Sequence, residues 1–390
     1  MKQDKIKKIM ELEQKLSDCQ LKYGEHLSEE LLEIRSFWSE EVIKYALLTN
    51  KRAISDRNAQ RGKRLIAQPI LIGGCPRSGT TLLSNLIDGH PEICCLPSES
   101  LLFEVFHRRI SNQPNKKQFE IIANDWLQRL ASPTNWGSYF FLGRTTSDSS
   151  PYVEFVKHLE AWWDWCEGHL MLFHTKPLVA VTLAYASLLG KGDIPERFKY
   201  WLEKSPGNEC FYDLFKKDFP ESRFVFLLRN PMDVMRSHLF VFKKLEMTIY
   251  KDWVFKNRRR YLSLAKLIGN EDVYLIKYED LIAHQAMEMN RLLRFIGVEY
   301  DENNSLQTIN GLETKRNSSF SPEKKELLTI TEEEKMQAYY MGKPVWQFYP
   351  EVALMPEWNF TYYKSIFKLF VSLFSRSLAR RSAKLKKIIS

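Results

Sequence analysis

The sequence lacks the features that mark membrane-spanning, collagen-like and low-complexity proteins. Its 390 residues include only 16 glycines and 16 prolines, which excludes a repetitive or collagen-like chain. The longest nearly apolar run, residues 178–190, is too short for a helix that crosses a bilayer. The N-terminus mixes lysine with acidic residues and has no apolar leader, so we expect no secretory signal. With 44% hydrophobic residues, the chain can form one large domain or two smaller ones.

Cysteine is also scarce, and its spacing fits neither a metal site nor a disulfide framework. No two cysteines form a CxxC pair, and none has a histidine at the spacing that zinc sites use. Such residues are typical of buried, reduced thiols, which predicts a cytoplasmic protein. The six positions are Cys19, Cys75, Cys94, Cys95, Cys166 and Cys210.

Positive charge is concentrated at the C-terminal end. The net charge is +9, but residues 360–390 contain eight basic residues and no acid, which leaves residues 1–359 with +1. A nucleic-acid-binding protein carries its basic residues on the folded domain, so nucleic acid is not the expected partner. On a helical wheel, apolar residues of 366–374 share one broad arc and Lys364 and Lys368 lie on the other. Two interpretations stay open: a helix on an anionic membrane surface, or a helix docked on the protein's own core.

The remaining patterns predict an α/β fold. Residues 1–66 are charged and rich in helix formers, which predicts a helical N-terminal extension. The main domain is expected over 67–350 and the basic tail over 351–390. Short apolar strands are predicted at 69–72, 200–203, 223–228 and 273–277, separated by helical segments. This alternation indicates a central parallel sheet, whose ligands bind at the carboxyl ends of the strands.

The most informative motif follows the first strand and reads Gly-Cys-Pro-Arg-Ser-Gly-Thr-Thr at 74–81. A glycine-containing loop between a strand and a helix can bind phosphate through backbone N–H groups and the helix N-terminus. A nucleotide-triphosphate loop would carry lysine followed by Ser or Thr where Thr80 and Thr81 stand. Here the cation is Arg77, inside the loop, and Mg-ATP is therefore a weaker expectation. A guanidinium there can contact a phosphate and a group being transferred from it.

A second segment follows the third predicted strand, with Arg229 at the strand end and Ser237 eight positions later. A third, Tyr-Glu-Asp-Leu at 278–281, follows the fourth strand. Together with the loop, these segments resemble the sulfotransferase family, which uses 3′-phosphoadenosine-5′-phosphosulfate (PAPS). The matches occur in order across residues 69–281. For Arg229 alone, a surface salt bridge with Glu221 or Asp233 is the competing interpretation.

The resemblance implies a P-loop-like, three-layer fold with a central parallel sheet. It also implies that the loop binds the 5′-phosphosulfate and that the segment after the third strand binds the 3′-phosphate. No metal is expected if cationic side chains neutralise the transferred group. The implied donor-binding residues are Arg77, Ser78, Gly79, Thr80, Thr81, Arg229 and Ser237.

Transfer to a hydroxyl also needs a base and a cation at the sulfuryl oxygens. The resemblance is to the subset acting on carbohydrate, lipid or tyrosine hydroxyls, in which a Glu in a Pro-rich turn is the base. This favours Glu99 as the base; the alternative is that Glu99 is only a solvated loop acid. His169 and His174 are weaker candidates for the base, because a histidine of this kind is more often a structural core or surface residue. In the same subset a Lys after a strand contacts the sulfuryl group, which points to Lys204; an exposed pair with Glu203 is the alternative. Lower-ranking donor or acceptor contacts are Asn208, Ser318 and Ser319.

The predicted activity is in-line O-sulfuryl transfer, with Glu99, Arg77 and Lys204 as catalytic residues. The acceptor is a hydroxyl of a carbohydrate, a lipid or another molecule, which the sequence does not name. The competing hypotheses are a P-loop kinase or NTPase, disfavoured by the missing lysine, and a non-catalytic nucleotide-binding protein at a membrane.

Overall fold

The computed structural model describes residues 2–23, 28–49, 51–131, 140–170, 173–242, 247–300, 306–309, 312–313, 330–350 and 362–371. Its centre is a five-stranded parallel sheet with the order β2-β3-β1-β4-β5. The strands are β1 (Pro69–Gly74), β2 (Ile93–Cys95), β3 (Tyr200–Lys204), β4 (Arg223–Leu228) and β5 (Val273–Lys277). A separate antiparallel pair consists of β6 (Thr308–Ile309) and β7 (Leu312–Glu313).

Helices make up most of the remaining described chain. Those before the third strand of the sequence are α1 (Lys2–Tyr23), α2 (Glu29–Leu47), α3 (Asp56–Ile66), α4 (Thr80–Ile87), α5 (His107–Ile110), α6 (Asn115–Leu130), α7 (Pro151–His169) and α8 (Lys176–Leu189). Those after it are α9 (Tyr212–Asp218), α10 (Pro231–Phe242), α11 (Met247–Leu267), α12 (Tyr278–Ala283), α13 (Gln285–Ile296) and α14 (Glu332–Gly342). Shorter helical turns cover Leu102–Phe106, Asn208–Phe211 and Lys343–Phe348.

The predicted strands are confirmed, and two of them extend beyond their predicted ends. β1 continues to Gly74 and β3 to Lys204. The strand β2 was not predicted, because three residues are too few to show a pattern. The predicted alternation of strands with helices produces the parallel order, since each parallel crossover needs a connection long enough for a helix.

Alternate residues of the strands pack into two separate cores, one on each face of the sheet. Ile70 and Val225 face α4 and α13, whereas Leu71 and Phe224 face the larger core. All four side chains are fully buried, and each such burial stabilises the fold by roughly 1.5–3 kcal/mol. The fold is therefore the three-layer α/β arrangement that the sequence predicted.

The N-terminal helices share the larger core with the sheet. Trp38 of α2 is completely buried, and its ring meets Tyr152 of α7 edge-on at a centroid distance of 5.0 Å. The buried carboxylate of Glu13 on α1 accepts hydrogen bonds from the Thr145 backbone N–H at 2.9 Å and from the Trp38 indole at 3.4 Å. Residues of α1–α3 thus pack on the main body; the division of the chain at residues 66 and 350 stays a prediction.

Two other expectations concern the cysteines and the tail. The six cysteines are free, and all but Cys210 are buried. Residues 362–371 form a helix that places Leu369 against the body, and residues 372–390 lie outside the described part of the chain. Within the described residues, no helix combines the length and apolar character that a bilayer crossing needs.

Candidate active site at the carboxyl edge of the sheet

The loop between β1 and α4 has the backbone conformation of a tight anion-binding turn. Gly74 and Gly79 have φ values of 137° and 101°, and Arg77 has 75°, a region that side chains with a Cβ rarely adopt. A Cβ on Gly79 would lie 2.5 Å from the Tyr278 ring. Glycine is therefore required at position 79 for both conformation and space. The α4 helix begins at Thr80, directly after this turn, so its N-terminus faces the loop.

Arg229 lies at the carboxyl end of β4, next to this loop. Its guanidinium stands over the Tyr278 ring, 4.3 Å from the centroid, and its Nη1 donates to the Arg77 carbonyl at 2.9 Å. The Nε of Arg77 in turn donates to Ser237 Oγ at 3.2 Å. We call Arg77, Arg229, Ser237 and Tyr278 the donor-side cluster. The two predicted phosphate sites are therefore in direct contact.

The surface salt bridge considered for Arg229 does not describe this arrangement. Arg229 is only 5% exposed, and Asp233 forms an ion pair with Arg236 at 2.8 Å. The Asn230 backbone N–H donates to Glu279 Oε1 at 3.0 Å, and the Tyr349 hydroxyl donates to Glu279 Oε2 at 2.9 Å. Glu279 thus joins the ends of β4 and β5, which gives the Tyr-Glu-Asp-Leu segment a structural role beside Arg229.

Positive charge accumulates in the donor-side cluster. Burial and, secondarily, the charge of Arg229 lower the pKa of Arg77. Burial together with the charge of Arg77 lowers the pKa of His238 to about 4. Ser78 Oγ and Arg229 Nε are buried and have no hydrogen-bond partner among the described residues. Two neighbouring guanidinium groups and unpaired buried polar atoms are what an anionic ligand would satisfy.

Glu99 and Lys204 meet at the other end of the same sheet edge. Lys204 Nζ lies 2.6 Å from Glu99 Oε1 and donates to Thr81 Oγ1 at 3.1 Å. The Lys204 side chain is 10% exposed and that of Glu99 33%. We call Glu99 and Lys204 the reaction pair. Through Thr81, this pair is connected to the first turn of the helix that follows the phosphate loop.

The turn that carries Glu99 is held by a buried carboxylate that the sequence did not single out as functional. Glu203 accepts hydrogen bonds from the Ser100 backbone N–H at 3.0 Å, from Ser100 Oγ at 2.7 Å and from Asn208 Nδ2 at 2.6 Å. Successive residues of a strand point to opposite faces, so Glu203 fixes the turn while Lys204 reaches Glu99. Lys204 is therefore not the exposed partner of Glu203, and Asn208 supports this turn.

A cleft of about 400 Å³ opens beside the reaction pair. Its wall comes from the α4 helix, the Glu99 turn, α6, α2 and β6. Arg129 of α6 contributes to the wall and donates to the Glu99 carbonyl at 2.6 Å. The remaining polar and aromatic lining residues include Arg35, Ser84, Asn85, Asp88, Ser98, Asp125, Gln128, Phe141 and Thr308.

The other base candidates lie elsewhere. His169, at the end of α7, is exposed and stacks on Trp165 with a centroid distance of 4.4 Å. His174 is also exposed, and neither residue lines the cleft. Ser318 and Ser319 lie outside the described residues.

A buried acid lies beneath the phosphate loop, and sequence reasoning missed it. Glu209 Oε2 accepts a hydrogen bond from the Gly74 backbone N–H at 2.9 Å. Burial raises the pKa of Glu209 to about 7, although the charge of Arg260 opposes the shift. Glu209 follows the β3 strand by five residues, and only the return of the chain under β1 brings it to the loop. Over the described chain, no group of three metal-ligating side chains occurs.

Comparison with known proteins agrees with the resemblance seen in the sequence. The profile described as "Sulfotransferase family" matches residues 69–302, more than half of the chain. Among curated proteins, the chain is similar to protein-tyrosine sulfotransferase A of Caenorhabditis elegans, with 19% identity over 241 residues. That alignment covers 60% of this chain and 50% of the relative, so the chain spans half of the relative's length.

Solved structures of similar proteins include two sulfotransferases. The sulfotransferase domain of the olefin synthase from Synechococcus PCC 7002 has 16% identity and a TM-score of 0.42, covering 71% of this chain and 93% of that one. A sulfotransferase from Mycobacterium tuberculosis H37Rv has 16% identity and a TM-score of 0.39, covering 78% and 86%. The predicted family is confirmed by the profile match, whereas the base and the other site residues stay predictions.

Proposed function

The chain belongs to the sulfotransferase family, and from that premise we propose that it is a PAPS-dependent O-sulfotransferase. One observation supports the proposal most directly. Lys204 Nζ connects Thr81, at the start of the helix after the phosphate loop, with Glu99, the predicted base. Donor site, cation and base are thus contiguous, as in-line transfer from a phosphate to a hydroxyl requires.

The donor-binding residues fit a molecule with two separated phosphates. The loop residues Ser78, Gly79, Thr80 and Thr81 would hold the 5′-phosphosulfate end, and Arg229 with Ser237 the 3′-phosphate. The unpartnered Ser78 Oγ and Arg229 Nε support this assignment because both are buried. PAPS supplies the sulfuryl group and the phosphate leaving group when bound. Arg77 contacts Ser237 and would bridge the two phosphate sites.

The reaction pair would perform the proton transfer and neutralise charge. The Glu99 carboxylate accepts the proton of the acceptor hydroxyl, and the ammonium of Lys204 stabilises negative charge on the transferring oxygens. The Arg77 guanidinium adds a second positive charge near the loop. The hydrogen bonds of Glu203 and Arg129 hold Glu99 in position for this role.

For the acceptor, we propose a carbohydrate hydroxyl. The cleft combines hydrogen-bond donors and acceptors on short or planar side chains, such as Asn85, Gln128 and Ser84, with one aromatic ring, Phe141. This mixture suits a molecule that carries several hydroxyl groups and one apolar ring face. A peptide tyrosine or a lipid alcohol is the alternative outcome of an acceptor screen.

The experiment is a transfer assay with labelled PAPS and separate sets of sugars, tyrosine peptides and long-chain alcohols. We expect a sulfated sugar product, and the Glu99→Gln protein should bind adenosine 3′,5′-bisphosphate (PAP) but form no product. Calorimetry with PAP, and with ATP in the presence and absence of magnesium, separates this function from a kinase. Tight binding of Mg-ATP without binding of PAP would overturn the proposal. PAP binding without transfer to any acceptor would indicate a non-catalytic nucleotide-binding protein.

We also propose that the protein is cytoplasmic and contacts anionic membranes peripherally. The helix at 362–371 docks through Leu369, while Tyr363, Phe367 and Val371 remain about half exposed or more and share a second side of the helix. The basic residues of 372–390 would add attraction to anionic lipid. The full chain should sediment with phosphatidylglycerol vesicles and less with phosphatidylcholine alone. Equal partitioning of the chain with and without residues 360–390 would exclude the contact.

A further inference from the structure

The side of helix α4 that faces the cleft is polar and yet largely buried. Four side chains of the helix and its C-terminal cap line the cleft beside the reaction pair: Thr81, Ser84, Asn85 and Asp88. Their spacing of three or four residues places them on one side of the helix. The apolar residues of the helix pack into the smaller core: Leu82, Leu83, Leu86 and Ile87. The polar side of a surface helix normally meets solvent, but Ser84 and Asn85 are each only 7% exposed.

The two ends of this polar side are hydrogen-bonded, whereas Asn85 in its middle is not. Lys204 Nζ donates to Thr81 Oγ1 at 3.1 Å, and Thr308 Oγ1 of β6 donates to Asp88 Oδ2 at 2.7 Å. The Asn85 amide has two donor hydrogens and one acceptor oxygen, and no residue that the structure describes hydrogen-bonds it. Buried polar side chains are nearly always hydrogen-bonded in folded proteins, so we expect a molecule in the cleft to supply the partner.

Asn85 also lies close to the reaction pair. It is one helical turn from Thr81, which corresponds to roughly 5–6 Å between the two Cβ atoms. Thr81 is hydrogen-bonded to Lys204, and Lys204 pairs with Glu99 at 2.6 Å. A molecule that brings one hydroxyl to Glu99 can therefore present a second polar group to the Asn85 amide.

The charged residues of the cleft lining balance one another. The cations are Arg35, Arg129 and Lys204, and the carboxylates are Asp88, Glu99 and Asp125. Arg129 Nε lies 2.5 Å from Asp125 Oδ2, which pairs two of them directly. A lining without excess charge does not favour an ionic acceptor, so the few neutral polar groups of the cleft are left to provide specificity.

We propose that Asn85 determines acceptor specificity by hydrogen-bonding a second hydroxyl of a neutral sugar, on the same ring as the hydroxyl that is sulfated. The inference rests on the proposed function and deepens it from a carbohydrate to a neutral sugar recognised at two hydroxyls. The amide oxygen accepts a hydrogen bond from a hydroxyl, and the amide NH₂ donates one. A site built this way discriminates against a sugar that lacks the second hydroxyl, because the buried amide is then left unpaired.

The test is a transfer assay with the full chain, labelled PAPS and three neutral acceptors, the p-nitrophenyl β-D-glucoside, β-D-galactoside and α-D-mannoside. The best of these is then compared with its monodeoxy analogues, each of which lacks one hydroxyl. Besides the sulfated hydroxyl, we expect one hydroxyl whose removal lowers kcat/KM about 10-fold or more in the wild type. In Asn85→Ala, removal of the same hydroxyl should cost no more than about 2-fold, because its partner is already absent.

PAP binding by each variant reports folding and should match that of the wild type. If Asn85→Ala does not bind PAP, Asn85→Ser replaces it in the same comparison. The matched control is Asn58→Ala, since Asn58 of α3 is also buried and its amide oxygen accepts a hydrogen bond from the Ile194 backbone N–H at 2.9 Å, away from the cleft. This control should keep the full discrimination against the deoxy analogue.

The possible failures are distinguishable. The inference is overturned if the deoxy analogues lose the same factor in the wild type and in the Asn85 variant, or if no second hydroxyl matters in the wild type. A protein that binds PAP but sulfates none of the glycosides would instead reject the carbohydrate acceptor of the proposed function. A wild-type protein that fails to bind PAP would reject the proposed donor.

Discussion

The two ends of the candidate site differ in how their charges are balanced. In the donor-side cluster, the charge of Arg229 contributes to lowering the pKa of Arg77; Arg229 is buried and Arg77 is partly buried. In the reaction pair, Lys204 and Glu99 neutralise each other at 2.6 Å, and Glu99 remains one-third exposed. Both ends lie on the carboxyl edge of one sheet, separated by the β1 loop.

This difference predicts what each end can bind. Like charges in a largely buried cluster are costly unless an anion enters it, so an anion is expected to bind tightly on the donor side. The reaction pair needs no ligand to be electrostatically satisfied, and its carboxylate is one-third exposed to solvent. Donor affinity and transfer rate should therefore respond to different substitutions, whereas a residue that only supports the loop should change stability alone.

The largest effect is expected at the reaction pair. Replacing Glu99 by Gln removes the proposed base and should lower the transfer rate about 10²- to 10⁴-fold, with PAP affinity within about a factor of two of wild type. Initial rates with labelled PAPS and calorimetry with PAP measure the two quantities. Glu92→Gln is the matched control, because its side chain is similarly exposed and pairs with Lys199 away from the cleft. Normal turnover by Glu99→Gln would exclude Glu99 as the base.

The next largest effect should appear on the donor side, in affinity. Arg229→Met removes a buried charge-assisted contact and should weaken PAP binding roughly 10- to 100-fold. Calorimetry measures the change, and Arg236→Met on α10 serves as the control because Arg236 pairs with Asp233. Unaltered PAP affinity in the Arg229 variant would contradict its assignment to the 3′-phosphate.

Glu209 supports the loop from below and should affect stability instead of either function. Its pKa is raised from 4.5 to about 7, so the folded protein holds the carboxyl proton more tightly than the unfolded chain does. The resulting stabilisation is complete below about pH 4.5 and is lost as the pH rises through 7. Glu209→Gln should therefore be more stable than wild type at pH 8.5 by about 1–2 kcal/mol, and the difference should shrink toward pH 5. Urea unfolding at both pH values measures it. A difference independent of pH would show that the raised pKa is not responsible.

The smallest effect is expected for Ser237→Ala. Arg77 would lose one hydrogen-bond acceptor at 3.2 Å, which should weaken PAP binding by about 3- to 10-fold and leave the rate at saturating donor nearly unchanged. The control is Ser222→Ala, another buried serine, located before β4. If the rate fell while PAP affinity held, the division between the two ends of the site would be wrong.

Much of the framework could be predicted because its signals are local. Three or more consecutive apolar residues followed by turn residues indicate β1 and β4, and the order of the loop residues at 74–81 predicts a phosphate-binding turn. The residues that position the site were not predictable in this way. Arg129 bonds the Glu99 carbonyl, Arg35 lines the cleft and Glu209 accepts a hydrogen bond from Gly74. Each lies far along the chain from the feature it contacts, and no spacing within the sequence connects them.

The sequence by itself determined the parallel α/β sheet, the glycine-containing turn after β1 and the family, because each depends on short runs of neighbouring residues. Only the tertiary structure decided that Lys204 pairs with Glu99 and not with Glu203, since the alternation of side chains along β3 turns these neighbours to opposite faces. It also placed Arg35 of an N-terminal helix at the cleft beside the reaction pair, through the packing of α2 on α6. Contacts between distant segments depend on how the helices pack, and that packing is a property of the whole core.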